Sequence, residues 1–343
     1  MHIVISTKAF SPMIGGSVIY AAMLAEEFSR IGHQVTVVTR TPGDNPPSTC
    51  YQLLRQPSVS RLLHLASRTD VLLQVESSWR DAIPFLLKGV PWFPTVHRGN
   101  STGPFSPSGK LRLALERMAY QLGHTIGVSS FVVDVWKLQE PAIPNPYDER
   151  IFHEPAPDSE RDIDILFVGS VVRRKGIFVL TEALGLLAPS EGKLKVAFIG
   201  EGADSAELSR ALGELSPSIE SVLAGRQTAP EVARWMKRSR ILAFPTMPET
   251  LEASPLTPLE AAACGCLIVA SDSGGTAENI SSDHWIVKSG SVTDLSDALT
   301  EALRKPIGPI STATRRMLGQ RHLQSVATQY LSRFTATIGR LSA

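Results

Sequence analysis

Short apolar runs alternate along the chain with longer segments of helical spacing, and polar turns separate them. The first run covers Ile3 to Ser6. Gly15-Gly16 then opens a helical pattern from Ser17 to Ile31, in which Ile19, Met23, Ala25 and Phe28 recur near helical spacing. Gly32 stops it, and Val35 to Thr39 reads as the next strand, which makes a strand-helix-strand unit. Val71 to Val75, Phe93 to His97 and Ile126 to Ser129 are further strands. The runs are nearly continuous in apolar residues rather than alternating, as expected of parallel strands covered on both faces.

Pro141, Pro144, Pro146, Pro155 and Pro157 then interrupt regular structure among polar residues, and they place an interdomain connection near residues 144–160. Beyond it the alternation restarts. Strand Ile163 to Val168, helix Ile177 to Leu187, strand Leu194 to Ile199 and helix Ala206 to Leu212 follow in order, with strands near Val222 and at Ile241 to Phe244, Leu267 to Ala270 and Trp285 to Val287. The expected fold is α/β, two doubly wound Rossmann-like domains facing a central cleft, with boundaries 1–150, 151–308 and a carboxyl-terminal helical segment 309–343. In such sheets ligands bind beyond the carboxyl ends of the strands, so residues just after strands are the candidates for chemistry.

Composition narrows the classes. The 343 residues are 43% hydrophobic and 20% charged, which excludes disordered and fibrous chains. No apolar run approaches the roughly 20 residues of a membrane-spanning helix. The amino terminus passes directly into a strand pattern without a secretory signature, so the expected location is cytoplasmic. Cys50, Cys264 and Cys266 make a disulfide framework improbable, and the latter two read as core residues. Net charge is +1, yet after Glu301 there are seven basic residues and no acid, leaving −6 on the preceding 301 residues. That tail reads first as a packed helix with its arginines in water, and second as a peripheral contact with an anionic membrane surface. Nucleic-acid binding has no support, because no recognised module accompanies the balanced charge.

The most informative stretch runs from Pro248 through Gly265, after the strand ending at Phe244. Thr257 reads as an N-cap, Pro258 as the first helical residue and Glu260 as the third, a capping box at the start of an alanine-rich helix. Amides at such a start attract phosphate. Glu252 lies in the preceding loop, so the two carboxylates can serve one pocket, one toward ribose hydroxyls and one toward sugar hydroxyls.

The spacing Glu252-x7-Glu260 with Ala-Ala-Ala-Cys-Gly and the segment Val269 to Gly275 resembles the donor-site signature of glycosyltransferase family 4. Phe10 to Gly16 resembles that family's amino-terminal glycine loop, and Ile143 to Asp148 with Phe152 its interdomain segment. Phe167-Val168-Gly169 through Lys175-Gly176 resembles its phosphate loop, and Phe198 to Gly202 and Gly274-Gly275-x-x-Glu278 also fit. The resemblance covers nearly the whole chain. It implies the GT-B fold and retaining transfer of a hexose from a nucleoside-diphosphate sugar, with no cofactor required, to a hydroxyl of a glycan, lipid-linked glycan or small acceptor.

On this resemblance Glu252, His97 and Lys175 are the catalytic candidates. The donor would be held by Gly15, Gly16, Ser170, Arg174, Lys175, Gly200, Arg226, Glu252, Leu256, Thr257 and Glu260. Lys175 would neutralise phosphate, Glu260 would bind ribose, and Gly16 would let the backbone approach the diphosphate. His97 would orient sugar or stabilise charge, with Ser129 and Arg98 as weaker acceptor-side candidates. Two positions depart from the family: Ser170 stands where arginine is usual, so Arg173 or Arg174 would supply the cation, and Pro255 stands where glycine is common.

Asp162-Ile163-Asp164 spells a pattern used elsewhere for metals, but it begins its strand, opposite the ligand edge, and no metal is expected. Gly200-x-Gly202 lacks the third glycine of a dinucleotide fingerprint, so hydride chemistry is not supported. Two other classes fit the departures: an inactive nucleotide-sugar-binding subunit, and a sugar epimerase on the same fold.

Overall fold

A computed structural model of the chain describes residues 1–13, 15–45, 50–75, 79–98, 116–118, 120–156 and 159–342. Ile14 of the glycine loop, Gly99 and Pro157 lie outside them. The chain divides into two compact units, one of residues 1–146 with 321–343 and the other of residues 147–320.

The first unit holds strands β1 (His2–Thr7), β2 (Gln34–Thr39), β3 (Gln52–Arg55), β4 (Val71–Val75), β5 (Trp92–Val96) and β6 (Ile126–Gly127). They form a parallel sheet in the order β3-β2-β1-β4-β5-β6. The second unit holds β7 (Ile163–Val168), β8 (Leu194–Ile199), β9 (Ile219–Gly225), β10 (Ser239–Phe244), β11 (Leu267–Ser271) and β12 (Trp285–Val287), also parallel, in the order β12-β11-β10-β7-β8-β9. Each is a doubly wound sheet whose strand order reverses once, between β1 and β4 in the first and between β7 and β10 in the second. A loop site is expected at those two reversals.

The continuous apolar runs have the cause inferred from them. Ile165, Phe167, Ile241 and Ala243 enter one buried cluster of the second unit, while Leu166, Leu242 and Phe244 enter another. Successive side chains of one strand point to opposite faces, so a sheet covered on both sides requires apolar residues at every position. Cys264 and Cys266 are buried in the second cluster as free thiols. Strand β3 and the helices Val59–Ala66 and Trp79–Leu86 were not among the expected elements, although both helices are amphipathic.

The tail is not one element. Helix Thr312–Gly319 belongs to the second unit and helix Leu323–Ser342 to the first. Leu318 joins the core of the second unit. Leu323, Val326, Ala327, Tyr330, Phe334 and Thr337 form one buried stripe on the longer helix. Phe334 packs on Phe93 and Phe28 with ring centroids 4.7 and 6.1 Å away. Most of the tail's apolar residues are therefore spent on packing, Leu341 being exposed. No described helix is long and apolar enough to cross a membrane.

Candidate functional site

The loop after β7 is laced to the ends of its neighbours. The Gly169 amide donates to Ile199 O at 3.0 Å and the Val171 amide to Glu201 O at 3.0 Å. Gly200 adopts φ +134, and a Cβ there would stand 1.9 Å from Gly169 O; one at Gly202 would stand 2.1 Å from Val171 O. Only glycine permits these approaches. A single helical turn, Arg173–Lys175, follows and ends at Gly176. The Met247 amide donates to Arg174 O at 3.0 Å, tying this turn to the end of β10. Lys175 is thereby delivered to the reversal between β7 and β10.

There Lys175 Nζ donates to Glu252 Oε1 at 2.5 Å, with side chains 20% and 14% exposed. The ammonium also lies 5.8 Å from the centroid of the Phe244 ring. Thr246 Oγ1 donates to the same Glu252 oxygen at 3.3 Å. The Glu252 backbone is clasped in turn: the Gly275 amide donates to Glu252 O at 2.7 Å, and Gly274, at φ +58, passes so close that a Cβ would stand 2.2 Å from that oxygen. Thr246, Gly274 and Gly275 thus position the carboxylate. Thr246 was legible only as a polar residue just beyond a strand.

Helix Leu256–Ala263 starts one residue before the expected cap, and the capping box is absent. Pro255 is the N-cap, no side chain caps the helix, and Pro258 occupies its third position. First-turn amides have no intrahelical acceptor, so proline is tolerated there and does not force the helix to begin at Thr257. Leu256 and Thr257 keep amides in that first turn, whereas Pro255 and Pro258 have none. Asn279 Nδ2 anchors the entry, donating to Pro255 O at 2.9 Å and Ser254 Oγ at 3.1 Å.

Glu260, released from capping, makes no hydrogen bond or ion pair among the described residues, and burial pushes its carboxyl up to about 7. Its folded pKa exceeds the ordinary 4.5, so between those values the folded chain holds more protons than the unfolded one. Stability falls as pH rises through that window. Glu260→Gln should therefore raise stability by about 3 kcal/mol at pH 8, the gain shrinking as pH falls below about 7 and gone by about pH 4.5. Thermal melts of both proteins across pH 4–8 check this, and a pH-independent difference would contradict it.

Of the two arginines expected to replace the missing cation, Arg173 is engaged: it pairs with Glu207 and stacks over Phe178 at 4.4 Å. Arg174 is exposed, and its side chain has no partner among the described residues. Ser170 is exposed in the same loop. Arg226 lies beyond β9, 3.6 Å from Glu201, both well exposed. Asp162 is paired with Arg238 and Lys195, and Asp164 with Arg240. These partners hold the Asp162 carboxyl well below the usual carboxylate range.

In the first unit Gly15 is the N-cap of helix Gly16–Arg30 in extended backbone, and a Cβ at Gly15 or Gly16 would meet nothing within 4 Å. Protein packing does not demand glycine at either. His97 follows β5, with Nε2 2.9 Å from Thr95 Oγ1 and its ring 4.4 Å from that of Tyr20. Burial pulls its imidazole down to about 4, so it is neutral near pH 7. Ser129 caps helix Ser130–Trp136 by accepting from the Val132 amide, a structural task. Arg98 pairs with Glu116 at 2.5 Å and lies 5.3 Å from the Trp136 ring centroid.

A family model described as glycosyl transferases group 1 matches residues 148–322. A D-inositol 3-phosphate glycosyltransferase of Paenarthrobacter aurescens is 30% identical over 153 residues, 42% of this chain and 36% of the relative. The amylovoran biosynthesis glycosyltransferase AmsK of Erwinia amylovora is 25% identical over 177 residues, 49% of this chain and 43% of the relative. The matched regions thus span less than half the length of these relatives. Among solved structures, Anabaena HepE in complex with UDP superposes with a TM-score of 0.79 at 15% identity, covering 98% of this chain and 100% of that one. The same protein with UDP-glucose gives 0.76. At that identity the likeness shows the fold, GT-B.

Proposed function

The chain belongs to the glycosyl transferases group 1, and from that premise we propose that it moves a hexose from a nucleoside-diphosphate sugar to an acceptor hydroxyl with retention of anomeric configuration. The observation that carries this is the Lys175–Glu252 pair at the strand-order reversal of the second sheet. In the free protein each charge neutralises the other. A donor diphosphate competes for the Lys175 ammonium, and the released Glu252 carboxylate becomes an acceptor for hydroxyls of the transferred sugar. The amides of Leu256 and Thr257 and the free guanidinium of Arg174 add to the phosphate site. Glu260 serves the ribose, and the loops of Gly200 and Arg226 lie toward the base. Gly15 and Gly16, where a side chain would meet nothing in the protein, are the first unit's candidates for backbone contact with the diphosphate.

In the transfer step the bond from the anomeric carbon to the leaving phosphate oxygen breaks, and a bond to the acceptor oxygen forms on the same face. The acceptor proton passes to the departing phosphate oxygen. Lys175 and the helix amides meet the charge that develops on the diphosphate, a role that needs no metal. His97, neutral at working pH, orients the sugar by hydrogen bonding. HepE has been seen with UDP-glucose, which makes a UDP-hexose the first donor to probe. The acceptor class is a glycan, lipid-linked glycan or small hydroxyl compound. Because the apolar stripe of the tail is buried and only Leu341 near its end is exposed, a hold on an anionic membrane surface would be mainly electrostatic, and the corresponding location is the cytoplasmic face.

A thermal-shift panel of nucleoside-diphosphate sugars tests the donor assignment. A donor at about 100 times its Kd should stabilise the chain by about 2.7 kcal/mol, and product formation with an acceptor should follow. Ser170 and Pro255 favour a second reading, an inactive donor-binding subunit. Stabilisation without transfer or donor hydrolysis for any acceptor would support it, and conversion of the sugar without acceptor would indicate an epimerase. No stabilisation by any donor would defeat all three.

A further inference from the structure

Tyr20, on the first helix, and Tyr330, on the last, are separated by 310 positions, yet both are fully buried and their hydroxyls bond to each other. Tyr330 is locked by Phe28 and Phe334, with ring centroids 6.4 and 5.9 Å away. Tyr20 presents its ring edge-on to His97, with centroids 4.4 Å apart and planes at 68°. One line of contacts therefore runs from the carboxyl-terminal helix to the imidazole at the ligand edge of the first sheet.

The other side of that imidazole sets its tautomer. Thr95 Oγ1 lies 3.3 Å from Gln74 O, a carbonyl that can accept the hydroxyl proton. With the hydroxyl proton on Gln74 O, the 2.9 Å bond between Thr95 Oγ1 and His97 Nε2 is donated by Nε2–H, the tautomer on which the inference stands. Nδ1 is left as a bare acceptor with no hydrogen-bond partner among the described residues. Such a nitrogen accepts from an O–H or N–H donor, and the donor that a sugar offers is a hydroxyl.

We infer that Tyr330 is a positioning residue: through its bond to Tyr20 it holds the His97 ring in the orientation in which Thr95 fixes Nε2–H and Nδ1 accepts a hydrogen bond from a sugar hydroxyl. The sugar part of this inference rests on the proposed transfer function. The arrangement requires the far end of the chain, since nothing in residues 1–146 supplies the Tyr330 hydroxyl.

The test uses the full chain with Tyr330→Phe, Tyr20→Phe and the double variant, each labelled with 15N-histidine. Either single change leaves one buried hydroxyl unpaired and should lower Tm by a few degrees, whereas the double change removes both and should recover most of it. Two-bond nitrogen–proton NMR correlations should show wild-type His97 as the Nε2–H tautomer and a mixture in all three variants. Transfer should fall about fivefold in kcat in all three, the double variant included, with donor KM little changed. Activity that recovers with stability in the double variant, or an unchanged tautomer in the folded variants, would overturn the inference. The tautomer signal needs no turnover. An inactive wild type would therefore count against the transfer reading, while the NMR result would still decide the positioning role.

Discussion

Lys175→Ala is expected to lower transfer by about 10²–10³-fold, the range found when one donor facing a developing negative charge is removed. Among the described residues its ammonium is the cation that the geometry aims at a carboxylate in the donor loop, 2.5 Å from Glu252. Removing it weakens the ground-state hold on the diphosphate as well, so KM for the donor should rise while kcat falls. Glu252→Ala separates the two roles. It leaves Lys175 unopposed, so nucleotide affinity should hold or improve, while kcat falls because the sugar loses its acceptor. Steady-state kinetics with calorimetric binding of the nucleoside diphosphate measures both. Near-normal turnover in both variants would reject the site. Lys175→Ala also strands a carboxylate that is only 14% exposed, so a modest loss of about 1 kcal/mol in stability should accompany it, with Thr246 still donating to the same oxygen.

Gly176→Ala should have the largest effect on stability. At φ +76 an alanine is strained on its own account, and its Cβ would stand 1.8 Å from Pro245 O and 2.6 Å from Pro245 C. The obstacle is backbone at the end of β10, which has no rotamer through which to yield. A loss of about 3 kcal/mol or more is expected, roughly 10 °C in Tm for a unit of this size. The turn that carries Lys175 would be pushed from the end of β10, so donor binding should fail together with stability. Gly16→Ala is the informative contrast. Its Cβ would meet nothing in the protein, so Tm should hold, yet donor KM should rise if the diphosphate approaches that backbone. Denaturant titration and donor kinetics on the two variants distinguish a glycine demanded by the fold from one demanded by the ligand. Equal stability of both would show that the loop accommodates a side chain at Gly176.

Much of this was legible along the chain because it depends on local rules. Lys175 and Glu252 follow strands β7 and β10; the strand pattern pointed to the loop of Glu252, and the family resemblance singled out Lys175. Burial of Cys264 and Cys266 followed from their apolar surroundings. The capping box failed because Pro258 is compatible with several first-turn positions, and local propensity does not choose among them. In the sequence Ser129 reads only as an acceptor-side hydroxyl; that its oxygen also caps the next helix, accepting from the Val132 amide, appears only in the structure. Arg173 and Arg174 were equivalent until Glu207 and Phe178 engaged one of them.

By itself the amino-acid order determined two parallel α/β sheets and the loops that bear the candidate chemistry, since apolar periodicity and glycine and proline breaks act over a few neighbouring residues. Tertiary structure alone decided which charges meet and which backbone groups pin them. Thr246 and Gly274 converge on Glu252 only because separate strands lie side by side. The tail is shared between the two units because the apolar stripe of its last helix fits the aromatic surface made by Phe28 and Phe93. Such contacts join residues tens to hundreds of positions apart, and their energy exists only once packing has excluded water and brought the partners within a few ångströms.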